Sequence, residues 1–321
     1  MNTYAELKNW ILAHDDIAVI THIRPDGDAL GSGNAMVLML RALGKHAYLC
    51  CDNKGESRYD FLPLAKEIYT VDTVPYPPKA CLCVDVSEKF RCGDFEKLFE
   101  ACGETALVDH HKTNPGFADV NVIEGEASSA GEILVRIAEE LGIKLDKQLA
   151  DCLYSAISTD TGNFSFSCTV PEAYIYAARC VEAGTDVEQL SRILFRTRTE
   201  AATRLLGLAL TKIEMSLDKK VALIALSDDD YRSVGASQPD SHAIVNYLNE
   251  IAGVTMGILI DEQGDGVKLS LRSNGDADVA AFAKIFGGGG HTAAAGASIN
   301  GISLDEAKKL VMEAAVRFIG E

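Results

Sequence analysis

The stretch IAVITHIRPDGDALGSGNAMVLMLRALG, residues 17–44, sets an apolar β-rich run, a polar turn and a helical pattern in direct succession. The same alternation continues outward through the apolar runs HAYLCC (46–51), CLCVDVS (81–87) and TALVDHH (105–111), which reads as a series of βαβ units. Runs apolar along their whole length imply strands buried on both faces. The expected fold is therefore α/β, with a parallel sheet flanked by helices. Such sheets bind ligands at the C-terminal ends of their strands. Each acidic or histidine cluster in this part of the chain follows one of these strands, so position and residue chemistry point independently to one region.

From about 128 to 215 the pattern is mostly helical, through GEILVRIAEELG and then DKQLADCLYSAISTD. The segment 186–212, ending RTRTEAATRLLGLAL, carries few turn signals and reads as a linking helical segment. Beyond it, VALIAL (221–226), VTMGILIDE (254–262) and GVKLSLRS (266–273) are strand-like, the last two joined by a Gly-containing turn. The expected domains are 1–190, a helical linker over 191–215, and a smaller α+β domain over 216–321.

At 321 residues, 47% of them hydrophobic and 24% charged, the chain has the balance of a globular protein. No apolar run approaches the roughly 18 residues of a membrane span, and the start lacks a signal-peptide pattern, so the cytosol is expected. The nine cysteines are too sparse for a disulfide scaffold, and Cys50, Cys51, Cys81 and Cys83 fall in strand-like runs as reduced core thiols. The net charge of −17 argues against long DNA or RNA, whose binding uses a basic track that releases counterions. Clustered carboxylates can instead hold divalent cations, which reverse the local field and admit a short phosphorylated substrate.

In THIRPDGDALGSG, the strand ends at His22, a turn follows at Pro25 and Gly27, and Asp26 and Asp28 stand two apart on the loop before a helix. Imidazole with carboxylates suits Mn²⁺ or Mg²⁺, while geometry can admit Zn²⁺ or Co²⁺. The bland alternative is an Asx-turn with Asp28 capping the helix. In VDHHKTN, three consecutive ionisable residues, Asp109, His110 and His111, end a strand, which packing explains poorly. Asp85 and Asp160 add carboxylates at element ends.

That order, HxxxDxD, a strand-ending Asp, DHH and STDTG, resembles the DHH phosphoesterase family. The C-terminal stretch SLRSNGDADVAAFAKIFGGGGHTAAAG resembles the associated DHHA1 domain, with its GGGH signature at Gly288, Gly289, Gly290 and His291. The resemblance covers nearly the whole chain. It implies two divalent ions, Mn²⁺ foremost with Mg²⁺ or Co²⁺ as alternatives. His22 and Asp26 would hold one, Asp28, His110 and Asp160 the other, and Asp85 would bridge. It further implies that Asp109 orients, that His111 faces the phosphoryl group, and that a dimetal-bridged hydroxide attacks without a separate general base.

Gly287 to Gly290 offers a loop whose bare amides can approach a phosphate, and Thr292 to Gly296 are small enough for close packing. With Arg272 and Ser273 at a nearby strand end, the resemblance implies a recognition site for a nucleotide's terminal phosphate or base, facing the metals across a cleft. Gly31 and Gly33, with Asp52 about twenty residues on, mimic a dinucleotide fingerprint, but its third position is Met36, too bulky for that role. Arg196, Arg198 and Arg204 read as a solvated helix face. His14, His46 and His242 have no acidic or motif context, and Trp10 reads as core or interface.

Within the family, this two-domain chain looks like the group of short oligoribonucleases (nanoRNases) and 3′-phosphoadenosine 5′-phosphate phosphatases. The expected substrates are RNA di- to about five-mers and nucleoside bisphosphates, with no membrane partner. A homodimer is compatible with the sequence. The same metals would also serve a phosphodiesterase of cyclic di-AMP or its linear product pApA, or a family II pyrophosphatase, against which the Gly-rich domain argues. RecJ-type exonucleases carry nucleic-acid-binding parts for which no room or basic patch exists here. A nucleotide-binding sensor without turnover is the non-enzymatic alternative.

Overall fold

A computed structural model describes residues 1–241, 243–275 and 277–320. The chain separates into two compact units, Met1–Thr197 and Arg198–Glu321. The segment 191–215, expected as a linker, divides between them, because the helix Glu200–Thr211 buries Leu205 and Ala209 in a core of the second unit.

In the first unit, helix α1 (Tyr4–Ala13) precedes β1 (Ile17–Ile20), α2 (Gly27–Ala42), β2 (Ala47–Cys50), β3 (Ile68–Tyr69) and β4 (Ala80–Val84). Then follow α3 (Glu96–Ala101), β5 (Thr105–Asp109), β6 (Val120–Ile123), α4 (Ala130–Glu140), α5 (Lys147–Asp160), α6 (Pro171–Glu182) and α7 (Val187–Ser191). The strands form one parallel sheet in the order β3-β2-β1-β4-β5-β6. Successive residues serve opposite cores: Ile17 and Val19 face the one built with α2, α4 and α5, whereas Ala18 and Ile20 face the one holding Phe95 and Phe99. This two-sided burial is why these strands read as continuous apolar runs. Cys50, Cys81 and Cys83 are buried free thiols in the second of these cores, Cys51 is one in the first, and Trp10 is also core.

The strand order reverses between β1 and β4, and the crevice beyond their C-terminal ends is where doubly wound sheets take ligands. Around it, α2 and α5 pack without intervening side chains: a Cβ on Gly31 would meet the Cys152 carbonyl at 2.6 Å. A Cβ on Gly27 would likewise meet Thr159 at 2.4 Å. Gly31 and Gly33 thus lie within a helix and serve packing, not a phosphate-binding turn.

The second unit contains α8 (Glu200–Thr211), β7 (Glu214–Met215), β8 (Val221–Leu226), α9 (Asp228–Val234), α10 (Ile244–Asn249), β9 (Met256–Gln263) and β10 (Gly266–Ser273). It ends with α11 (Val279–Lys284), β11 (Gly289–His291), β12 (Ala294–Asn300) and α12 (Leu304–Gly320). Its sheet, β11-β12-β10-β9-β8-β7, is mixed, with only the β8–β9 pair parallel. The expected glycine loop is corrected here, since Gly289–His291 forms an edge strand on β12. The glycines permit that pairing: a Cβ on Gly288 would meet the Gly296 carbonyl at 2.2 Å, and one on Gly290 the Ala294 carbonyl at 2.5 Å.

Because the α2–α5 contact holds together the loops that follow β1 and end α5, Gly31→Ala is expected to cost about 1–3 kcal/mol through overpacking. Urea unfolding reads this directly, and a variant as stable as the parent overturns the packing argument.

Candidate metal centre

The candidate functional side chains occupy the ends of five elements. His22 lies two residues beyond β1, Asp26 and Asp28 open α2, Asp85 follows β4, Asp109 ends β5 with His110 and His111 after it, and Asp160 ends α5. Asp26 is the helix cap, its Oδ1 accepting from the amides of Asp28 and Ala29 at 3.1 Å each. Asp28, the cap in the bland alternative, turns elsewhere. Its carboxylate is buried and accepts from the amides of Ala130 at 2.6 Å and Gly131 at 3.0 Å, at the N-terminus of α4. Those helix-end amides and the helix dipole favour a negative charge.

Asp85 is the centre of the arrangement. Its Oδ2 stands 3.6 Å from His22 Nε2, and its Oδ1 3.5 Å from His110 Nε2. His22 Nε2 is also 3.8 Å from Asp26, while His110 Nε2 is 3.4 Å from Asp160 and 3.7 Å from Asp28. Two donor triads result, His22–Asp26–Asp85 and Asp28–His110–Asp160, each with its donor atoms within 4.8 Å of one another. The two oxygens of Asp85 thus face different triads. Asp85 holds the left-handed conformation at φ +59°, which costs a non-glycine residue of order 1–3 kcal/mol and recurs at functional sites.

The donor atoms are prepared for metal. Asp85 Oδ1 is buried without a hydrogen-bond partner among the described residues, an expensive omission unless a cation fills it. His22 Nδ1 donates to the Ile23 carbonyl at 2.8 Å, and His110 Nδ1 lies 3.3 Å from the Ala127 carbonyl. These carbonyls favour a proton on Nδ1 and turn Nε2 toward the carboxylates, where loss of its proton would free a lone pair for a metal, while Arg91 Nη2 also lies 3.1 Å from His22 Nδ1. Carboxylate and imidazole donors without thiolate suit a hard to borderline divalent ion.

His111 differs. Its Nδ1 is 3.7 Å from Asp85 but is taken by Asp109 Oδ1 at 2.8 Å, which leaves Nε2 without a protein partner among the described residues. Asp109 is fully buried, and its other oxygen accepts from Asn114 Nδ2 at 2.5 Å. Asn114 also donates to the Val86 carbonyl at 2.9 Å, so it ties the DHH segment to the chain just past Asp85.

Crowding shows in the proton affinities. Burial, then the charges of Asp85 and Asp26, hold the Asp160 carboxyl up to about 7 against the lowering effect of His110 and His111. Burial and the charges of Asp85 and Asp160 push Asp28 well up too. Burial alone would lower His110, but the adjacent Asp85, Asp28 and Asp160 outweigh it and raise it to about 11. In the same way, Asp109 outweighs burial and raises His111.

Sequence reasoning missed Asn114 and the run Ser128–Glu132, although both leave a signal. VDHHKTN contains the asparagine, and SSAGE is a helix-start pattern in which Ser129 Oγ accepts from the Glu132 amide at 3.0 Å while Glu132 accepts from Ser128. His46 gains an acidic setting that its sequence context did not suggest. Its Nδ1 lies 3.3 Å from Asp16, which also pairs with Lys79, at the opposite ends of the strands from the triads. Arg196, Arg198 and Arg204 are exposed, and His242 lies outside the described residues.

In the second unit, Arg272 pairs across the sheet with Ala294, and Ala294 with His291. Arg272 and His291 therefore belong to one row and one face, their backbone positions two strand spacings or about 10 Å apart with the Ala294 methyl between them, and Arg272 Nη1 donates to the Leu271 carbonyl at 3.0 Å. Ser273 is buried, its Oγ accepting from the amides of Gly275 and Ala277 at 3.1 Å each. Gly289 and Gly290 are exposed on the edge strand beside this row, with Gly288 preceding them.

Two outcomes are expected. Coordination by this triad would require protons to leave both His110 and Asp160, so apparent Mn²⁺ affinity is expected to fall as pH falls from about 11, and more steeply below about 7. Calorimetry in buffers of different ionisation heat checks the proton release, and pH-independent binding contradicts it. Asn114→Ala is expected to lower activity about 10–100-fold, as loss of a support behind a site residue does. An unchanged melting temperature would separate that loss from misfolding.

Residues 16–157 match the DHH family, N-terminal domain, and residues 218–317 match the DHHA1 domain. The bifunctional oligoribonuclease and PAP phosphatase NrnA of Thermus thermophilus is 32% identical over 300 residues, 93% of this chain and 88% of that protein. The protein of the same name from Bacillus subtilis is 26% identical, with 96% of each chain covered. In structure, an exopolyphosphatase-related protein from Bacteroides fragilis superposes with a TM-score of 0.93 at 26% identity, over 99% of this chain and 96% of that one. RecJ from Thermus thermophilus in complex with Mn²⁺ shares the fold at a TM-score of 0.54 and 15% identity, over 98% of this chain and 54% of that one. The chain belongs to the DHH family, as a divalent-metal-dependent phosphoesterase that joins a DHH domain to a DHHA1 domain.

Proposed function

We propose that the protein hydrolyses short oligoribonucleotides, of two to about five residues, to mononucleotides and removes the 3′-phosphate of 3′-phosphoadenosine 5′-phosphate. The observation that carries this reading is the pair of triads, with the two oxygens of Asp85 facing His22 of one and His110 of the other, beside the His111 Nε2 that has no protein partner among the described residues. The relatives named as oligoribonucleases and PAP phosphatases, similar over nearly the full chain, supply the substrate class. Two divalent ions, Mn²⁺ foremost, would be held by His22, Asp26 and Asp85 and by Asp28, His110, Asp160 and Asp85. When bound, they lower the pKa of water and neutralise phosphoryl oxygens.

The chain's own residues do the rest. Asp28, buried and fixed by the α4 amides, and Asp85, fixed by its backbone, keep the donor atoms from relaxing apart. Asp109 holds the His111 ring and raises its pKa, which favours the protonated form, whose Nε2–H can bind the phosphoryl group and donate a proton to the leaving oxygen. Arg272 and His291, in one row of the second sheet, with Ser273 and the amides around Gly288, Gly289 and Gly290, bind the terminal phosphate or base. The net charge of −17 repels long polyanions, which favours substrates with few phosphates, and a cytosolic setting suits both activities.

Turnover of a dinucleotide, a five-mer and a 24-mer RNA with Mn²⁺ tests this, with the shorter substrates expected to be faster and preference for the 24-mer overturning it. Pyrophosphate as the best substrate would overturn it equally. Asp85→Ala and His110→Ala are expected to abolish hydrolysis. Arg272→Ala should raise KM more than it lowers kcat.

A further inference from the structure

A cavity of about 210 Å³ opens within the first unit, lined by Asp26, Arg58, Tyr59, Asp160, Leu194 and Phe195 among others. It takes Asp26 from one triad and Asp160 from the other, so its occupant lies directly beside the metal-binding atoms. Beside Arg58 and Thr159, the wall includes three large side chains: Tyr59 and Leu194 are buried, and Phe195 is half-buried. None of these three has a part in the chemistry described above.

The local backbone is built to present Phe195. Residues Arg192–Arg196 form a π-helical turn, a wide geometry that re-aims side chains and recurs at functional sites. Arg58 donates Nη1 to the Leu194 carbonyl at 3.3 Å and pairs with Glu56, which fastens this turn to the segment Ser57–Tyr59 across the cavity.

Charge and size decide what enters. Two carboxylates line the cavity, and its guanidinium pairs with Glu56, so the described lining carries no net positive charge to attract a phosphate. The volume falls below the roughly 300–1,000 Å³ of sites that enclose a whole drug-sized ligand. What fits is the neutral, flat part of a nucleotide whose phosphate sits at the triads.

We propose that this cavity is a nucleobase subsite in which the Phe195 ring stacks on one of the two bases flanking the scissile phosphate. The inference rests on the nucleotide-phosphoesterase reading and adds to it a specificity determinant outside the Gly-rich domain. It makes each base next to the cleaved bond a potential source of binding energy, and identifies which element of the first unit reads it.

The test uses Phe195→Leu, which keeps bulk but removes the π face, and Phe195→Tyr, which keeps it. Equilibrium binding is measured in Ca²⁺ with the dinucleotide pApA and its two singly abasic forms, and turnover of pApA in Mn²⁺. Removing one of the two bases should weaken binding to the parent and to Phe195→Tyr about tenfold, the loss of one base–aromatic stack. The same removal should weaken binding to Phe195→Leu by less than about threefold, since the two losses share one interaction. If base removal costs Phe195→Leu as much as it costs the parent at both positions, the subsite is overturned. Coupling in binding without hydrolysis of pApA would uphold the subsite and overturn the oligoribonuclease reading.

Discussion

Four carboxylates, those of Asp26, Asp28, Asp85 and Asp160, converge on two imidazoles at the end of a parallel sheet, and everything around them serves to hold like charges together. Without cations the arrangement is expensive. Asp28 and Asp160 are driven toward their neutral forms, His110 is driven strongly toward its charged form, and Asp85 keeps a buried oxygen without a partner. Divalent ions held there would resolve all of these at once, by replacing shared protons with positive charge. The site is in this sense a preorganised deficit of positive charge, which a bound metal would complete.

Preorganisation rests on backbone more than on side chains. Asp28 is clamped by two amides of the α4 N-terminus, Asp26 by two amides of its own helix, and Asp85 by a left-handed backbone at the end of β4. Glycines at 27 and 31 let α2 meet α5, so the helix that begins with Asp26 and Asp28 and the helix that ends with Asp160 are joined at a close contact. Such supports relax little, which is what a site needs if repulsion is not to pull its ligands apart.

The two units apply the same economy differently. In the first, strand ends and helix starts supply charged ligands around a point. In the second, small residues and glycines strip a sheet edge nearly bare, so that Arg272 and His291 stand on one face with only Ala294 between them. The glycine run therefore has a structural duty, pairing β11 to β12 at close range, as well as its proposed role in recognition.

The continuous apolar runs of β1, β2, β4 and β5 already determined a parallel, two-sided sheet, because burial on both faces leaves no polar alternation, and the order of Asp and His motifs named side chains that gather at its end. Tertiary structure alone decided the rest. Asp28 meets Ala130 and Gly131 across more than a hundred residues, and Asn114 reaches back to Val86. Gly289–His291 becomes a strand because β12 returns beside it, and Phe195 lines a cavity with Asp26 and Asp160 from a π-turn that sequence periodicity does not announce. Hydrophobic periodicity and motif spacing are local properties of the chain. Which carboxylate caps which helix, and which ring lines which cavity, depend on where distant segments pack.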